Sequence, residues 1–369
     1  MAKNSSRLVS LDIFRGLTVA FMIIVNTPGS WTYVYSPLRH SEWDGCTLAD
    51  MVFPFFLFIA GVSMWYSLKK YKHIFNGGSL LRISRRVIAV FGVGLFLAIF
   101  PYFGRDYSTL RIMGVLQRIA LAYALASFIC LSVNRQYLWI VIAVLLLLYW
   151  AALVFFGGAE PFSLEGNAVK KADLALLGAK HMYKGFGIPF DPEGLLSTLT
   201  ASVTMIIGYY CGEITSKKSS SGVNILKLFL IGVASTGLGL LWDMVFPINK
   251  PIWSSSYVLY TAGLAMMILS LFYLVADHFK FQKWATVFTI LGTNALFSFF
   301  LSGILTRMLI FIKIHSGKTV ITLYTWIFEK LCAPVAGNFG GSLMFSIITL
   351  IIIWLVAFFL HRKKIMIRL

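Results

Sequence analysis

Runs of about 20 apolar residues recur along the whole of this sequence, separated by short basic segments. That length is what an α-helix needs to cross the hydrocarbon core of a bilayer. In lipid every backbone N–H and C=O must be satisfied within the chain, so segments of this kind fold as helices. Composition agrees: 59% of the 369 residues are apolar, 12% are charged and the mean hydropathy is +0.82, well outside the range of soluble domains. The expected architecture is an all-α polytopic membrane bundle of about ten transmembrane helices, with residues 1–369 forming a single domain.

A formal net charge of +18 invites a nucleic-acid reading, but the cations are not spread as that reading requires. Lys3 and Arg7 precede the first span. Lys69, Lys70, Lys72, Arg82, Arg85 and Arg86 surround the second loop, and Lys217, Lys218, Lys280, Lys283, Arg362, Lys363 and Lys364 mark later ones. Cations gathered in alternate loops follow the positive-inside rule, which places both termini in the cytoplasm and leaves lipid, not nucleic acid, as the partner. Cys46, Cys130, Cys211 and Cys332 show neither metal spacing nor an obvious pair. The first ten residues are too polar, and too soon followed by a full span, for a cleaved signal peptide.

The stretch from Asn26 to Gly61 gathers Asn26, His40, Asp44 and Asp50 between two apolar runs, and polar groups at the mouth of a membrane helix need a partner or a task. Span one, near residues 11–28, carries Asp12 and Arg15 on one face, with Asn26 nearly in line and about 16 Å further along. That face is either an intrahelical ion pair plus a cap or a functional stripe. Asp50 opens the next span, where a carboxylate also suits the helix dipole. Arg111, Gln117 and Arg118 open the fourth span. Arg118, roughly 10 Å deeper than Arg111, needs a ligand or a buried carboxylate, Asp12 and Asp50 being the structural candidates.

Residues 157–193 are the longest polar segment, and Asp191-Pro192-Glu193 reads first as a helix start. Trp253, followed by a serine cluster, reads first as an interface anchor, and Asn294, Ser298 and Ser302 as interhelical glue. Residues 307–340 look irregular, and no internal repeat divides the chain. Of six histidines only His40 has Asn and Asp neighbours, and no His or Cys spacing suits a metal. An imidazole there can take a proton from an ammonium or attack a thioester, while a carboxamide such as Asn26 can stabilise the oxyanion.

Taken together, Ser10-Leu11-Asp12-Ile13-Phe14-Arg15-Gly16, Val25-Asn26, His40 with Trp43-Asp44-Gly45, and Ala49-Asp50-Met51-Val52-Phe53-Pro54 resemble the heparan-alpha-glucosaminide N-acetyltransferase family and its bacterial relatives. Some of those relatives carry the label of an amino-sugar-related transporter. Further matches are Arg111 to Arg118, Asp191-Pro192-Glu193-Gly194, Ile252 with Trp253-Ser254-Ser255-Ser256-Tyr257-Val258, and Gly292 with Asn294-Ala295-Leu296. The resemblance implies a bacterial inner-membrane enzyme that moves the acetyl group of cytoplasmic acetyl-CoA to the amine of a glucosamine-type sugar on the far side. It implies His40 and Asn26 as catalytic, acetyl-CoA as co-substrate, no metal, and a homodimer. Asp44 stands where the animal enzymes have Asn.

From that reading Asp50, Asp44, Asp191, Glu193, Trp253 and Asn294 are expected to support the substrate. Arg15, Arg85, Arg86, Gln117 and Arg118 are expected to hold the CoA. The alternatives are an amino-sugar transporter, with Asn26, Asp50, Asn294 and Arg118 as gate ligands, and an O-acyltransferase of envelope glycans.

Overall fold

The computed structural model describes residues 8–103, 106–217, 221–316 and 319–367. Lys3, Arg7 and Lys218, used above in the charge pattern, lie outside the described residues. The helices are α1 (Val9–Asn26), α2 (Leu48–Leu68), α3 (Gly77–Ile99), α4 (Val115–Ser132), α5 (Leu138–Phe156), α6 (Ala168–Leu177), α7 (Thr198–Ser216), α8 (Ser221–Asp243), α9 (Ser255–Phe272), α10 (Thr286–Thr293) and α11 (Ala295–Phe311). A two-stranded antiparallel hairpin, β1 (Lys313–Ser316) and β2 (Thr319–Thr322), then leads to α12 (Leu323–Ile327) and α13 (Ala333–Arg362).

Seven of these helical stretches are long and apolar enough to cross a membrane, or eight if α10 and α11, bent by 67° at Asn294, form one broken span. The chain is thus a helical membrane protein. α3 and α7 also reach 23 and 19 residues, but Arg82, Arg85 and Arg86 on the first and several Thr and Ser on the second lower their apolarity. The segment expected to be irregular contains the end of α11, the hairpin and the start of α13, so the fold is not purely helical. Pro54 sits in the second turn of α2 without ending it; the Asp50 carbonyl that its missing N–H leaves free accepts instead from the Tyr257 hydroxyl at 2.6 Å.

Two glycine contacts draw the central helices together. A Cβ on Gly61 of α2 would lie 2.0 Å from the Met205 carbonyl oxygen, and one on Gly208 of α7 would lie 2.1 Å from that of Phe58. The same exchange joins α1 to α10, where a Cβ on Gly16 would lie 1.8 Å from the Phe288 carbonyl oxygen and one on Gly292 2.2 Å from that of Asp12. Small residues of this kind let backbones approach in lipid, where no hydrophobic drive holds helices together.

The outer helices differ. α5 and α8 leave most of their surface exposed, with Leu147, Leu148, Leu240 and Leu241 facing outward as a lipid-facing helix requires. The loops divide into two sets. Residues 27–47, 157–197 and 244–254 meet at one end of the bundle, where Gly45 N–H donates to the Ile248 carbonyl at 2.7 Å. Lys69–Tyr71 and the start of α3 lie at the other end.

Candidate active site

The first loop places His40 over the start of α2. Thr47 caps that helix reciprocally with Asp50, whose Oδ2 accepts from the Thr47 N–H at 3.1 Å, the Thr47 hydroxyl at 3.0 Å and the Ser41 N–H at 3.0 Å. Those donors hold the carboxylate with its other oxygen, Oδ1, turned to His40 Nδ1 at 2.7 Å. Asp50 is only 1% exposed. An ionised carboxylate accepts and does not donate, so the proton of the pair belongs on Nδ1 and leaves Nε2 as the basic nitrogen.

Lys250 completes this cluster. Its Nζ lies 3.3 Å from Asp50 Oδ1 and 3.1 Å from His40 Nδ1, so the carboxylate is the common acceptor for both. A parallel bridge between Gly45 and Asn249 carries the lysine there, and Asn249 Nδ2 donates to Asp44 Oδ1 at 3.0 Å. Asp44 thus ties the two loops together. Beside them Cys46 has a thiol that burial, helped by the Asp50 charge, pushes up to about 12, so it stays protonated at neutral pH.

Asn26, His40, Lys250 and Glu193 line one cavity of about 80 Å³ together with Met22, Val52, Phe53, Val115 and Phe299. That is several times the space one ordered water needs, so an acyl group has room beside these side chains. Asn26 donates one Nδ2 hydrogen to the Met22 carbonyl at 2.7 Å, and its second remains available for a developing oxyanion. Glu193 reaches the cavity because Arg111 holds its loop. The Arg111 guanidinium grips Asp191 with two bonds of 2.9 and 2.7 Å and also binds Glu193. Burial pushes the Glu193 carboxyl up, but Arg111, Arg118 and Lys250 outweigh it and hold the group below its usual range. Asp173 of α6 braces the same loop by accepting from Leu195 N–H at 2.9 Å and Leu196 N–H at 3.3 Å; its burial raises the carboxyl to about 6.

A second cavity of about 750 Å³ opens at the opposite end of α2, lined by Arg15, Lys70, Arg82, Arg85 and Arg86 above a floor of Phe56, Ile59 and Ala60. Its volume falls within the range of small-molecule sites. The two cavities follow successive turns of α2, and Ser63 in the large one lies about 20 Å along the axis from Asp50. Arg15 pairs with Asp12 at 3.0 Å and donates to Ser63 Oγ at 2.6 Å. Among the described residues Lys70, Arg82, Arg85 and Arg86 have no carboxylate within ion-pair distance. Nor do three metal-ligating side chains cluster anywhere among the described residues.

Not every expected site residue joins these cavities. Arg118 is fully buried, but its partners are the Gly194 carbonyl, Ser197 and the Trp253 ring at 4.9 Å, not Asp12 or Asp50. It props the Glu193 loop from beneath and lines neither cavity. Trp253 is 1% exposed, packed edge-on to Phe53 at 5.2 Å, so it belongs to the core and not to an interface. Asn294 sits at the α10–α11 bend beside the basic cavity. There it accepts from Ile367 N–H at 2.8 Å and donates to the Ile365 carbonyl at 3.2 Å, so its amide is occupied by the chain's own backbone. Gln117 lines a third cavity, between α3, α4 and α11.

With the geometry in place, comparison with known proteins is informative. Residues 7–180 match the family model described as heparan-alpha-glucosaminide N-acetyltransferase, catalytic. Over that stretch, just under half of the chain, the sequence is similar to that family. The human heparan-alpha-glucosaminide N-acetyltransferase is 28% identical over 330 residues, covering 73% of this chain and 49% of the human protein. The mouse protein of the same name is 27% identical over 334 residues, covering 74% of this chain and 50% of its own. The chain therefore spans about half the length of the curated relatives it matches. The matched family region holds Asn26, His40, Asp50, Arg15, Arg85 and Arg86, and ends before Lys250 and Glu193, which complete the small cavity.

Proposed function

We propose that this protein is a transmembrane acetyltransferase that takes the acetyl group of acetyl-CoA at its basic end and passes it to the amine of a glucosamine-type sugar at the His40 end. The carrying observation is one acetyl-sized cavity faced by His40, Asn26, Lys250 and Glu193, aligned along α2 with a nucleotide-sized cavity lined by five cations. Lys70, Arg82, Arg85 and Arg86 supply the charge that CoA phosphates require, and the apolar floor at Phe56 and Ala60 suits a pantetheine arm.

In this reading the acceptor's neutral amine nitrogen attacks the thioester carbon, and His40 Nε2 takes the one proton that nitrogen sheds. The C–N bond forms, the C–S bond breaks, and CoA leaves as thiolate. Asn26 donates to the oxyanion in between, and Asp50 holds the imidazole in the required tautomer. Lys250 shares the Asp50 carboxylate with the imidazole and helps to fix it there. We place the basic end in the cytoplasm of a bacterial inner membrane, with ten spans in one domain.

Purified protein supplied with labelled acetyl-CoA and a panel of glucosamine-type acceptors tests the reading. Turnover that His40→Ala lowers by about 10²-fold or more, with folding intact, supports it. An acetyl-histidine trapped without acceptor would replace direct transfer by a two-step path. The bend at Asn294 is the one observation that favours transport, since broken spans build transporter sites. Uptake of intact sugar into vesicles without acetyl-CoA would establish that alternative and overturn acetyl transfer.

A further inference from the structure

The third cavity, about 320 Å³, lies between α3, α4 and α11 and shares Val115 and Phe299 as walls with the acetyl-sized one. Leu97, Gly303, Gln117 and two arginines, Arg111 and Arg307, line the rest that matters here. The arginines differ. Arg111 is answered by Asp191 and Glu193. Arg307 sits in the last turns of α11, and among the described residues its one hydrogen bond is a long 3.4 Å contact to the carbonyl of Gly303 on its own helix. Among the described residues no carboxylate lies within ion-pair distance of it.

An arginine in a membrane span is expensive unless it meets a partner or a wet cavity. Here it meets a cavity, and the positive charge in it is uncompensated. Outside the lining, but next in sequence to lining residues of α3 and α11, is an aromatic cluster: Phe96, Phe100 and Phe103 pack on one another, Phe96 also meets Phe300 of α11 at 6.1 Å, and Phe103 is 64% exposed. One wall is thus cationic and the adjoining surface apolar.

We propose that this cleft holds the acceptor by an anionic group, a phosphate or carboxylate bound at Arg307, while the acceptor's other end passes Val115 and Phe299 to reach His40. The proposal rests on the acetyl-transfer reading for what the ligand is, but the anion site stands on the cleft alone. A guanidinium suits such a group because it offers two parallel donors. The phosphate can be carried on a lipid, whose chain would lie along the aromatic rim, or on a soluble sugar.

The test measures binding in detergent without acetyl-CoA, by thermal stabilisation with four probes: farnesyl phosphate, farnesol, glucosamine 6-phosphate and glucosamine. At least one phosphorylated probe is expected to bind about tenfold or more tightly than its neutral counterpart. Arg307→Gln is expected to remove that difference and Arg307→Lys to keep part of it. Gly303→Leu, which leaves the charge and fills the cleft, is expected to weaken both phosphorylated probes, and it decides the matter if Arg307→Gln does not fold. Preference for farnesyl phosphate assigns a lipid-borne anion, and preference for glucosamine 6-phosphate a soluble one. Equal binding of charged and neutral probes, or an undiminished difference in folded Arg307→Gln or Gly303→Leu, overturns the site and leaves an arginine that only reaches for bulk lipid headgroups. Since no turnover is read, loss of acetyl transfer and loss of this site are separate results.

Discussion

The two cavities along α2 use charge in opposite ways. Around the small one Asp50 answers Lys250 and fixes His40, and Arg111 answers Glu193, all at close range. In the large one Lys70, Arg82, Arg85 and Arg86 face an open volume with no carboxylate among the described residues to answer them. A network satisfied internally costs little to hold in place and fixes geometry, as bond making requires. An unanswered set of cations does the reverse: it waits for a charge from outside and attracts it over distance. In the proposed function, chemistry and capture are therefore separated along one helix.

Removing the centre of the satisfied network should have the largest effect. Asp50→Asn leaves His40 free to adopt the wrong tautomer and also disturbs the cap of α2, so kcat should fall by about 10²-fold or more with a smaller change in KM for acetyl-CoA. A fall confined to KM would erase the distinction between the cavities. At the other end, Arg85→Gln with Arg86→Gln should raise KM for acetyl-CoA by about tenfold and weaken its salt dependence while kcat holds. A change in kcat alone would mean that the basic end takes part in bond making.

The smallest expected effect separates burial from pairing within the active-site loops. Asp173, raised by burial to about 6 from 3.8, binds its proton more readily folded than unfolded. Its contribution to stability is therefore fullest below the unfolded value and is lost as pH rises through about 6. Glu193, held low, has the opposite sign, but its effect lies below its ordinary 4.5. Wild type should thus lose roughly 2–4 °C of melting temperature relative to Asp173→Asn between about pH 4 and pH 7. A flat difference would show that the backbone donors of Leu195 and Leu196 cancel the burial.

Much of this was legible in the sequence, for local reasons. Apolar runs marked the spans, and Asp12 with Arg15 showed as neighbours because helix geometry fixes residues three apart. The loop from Asn26 to Asp50 stood out because it crowds polar groups between spans. Lys250 did not, since it reaches His40 only after the Gly45–Asn249 bridge joins loops some 200 residues apart, and no periodicity records such docking. The signal available was a lysine between Asn249 and Pro251, just before the start of a span. Arg118, expected to meet a ligand or the carboxylate of Asp12 or Asp50, is buried against Gly194, Ser197 and Trp253, because depth along a helix does not say which neighbour covers a side chain. For Asn294 the partner is the backbone of residues 365–367, which a side-chain pattern cannot reveal.

The glycine exchange between α2 and α7 has a mechanical consequence. With carbonyl oxygens 2.0 and 2.1 Å from where side chains would begin, neither helix can turn about its own axis without first parting from the other. The rail that carries both cavities is stiff. Compliance is left to the opposite wall, where α3 and α11 meet loosely around the Arg307 cleft, and Phe299 on that wall borders both the acyl-sized space and the cleft.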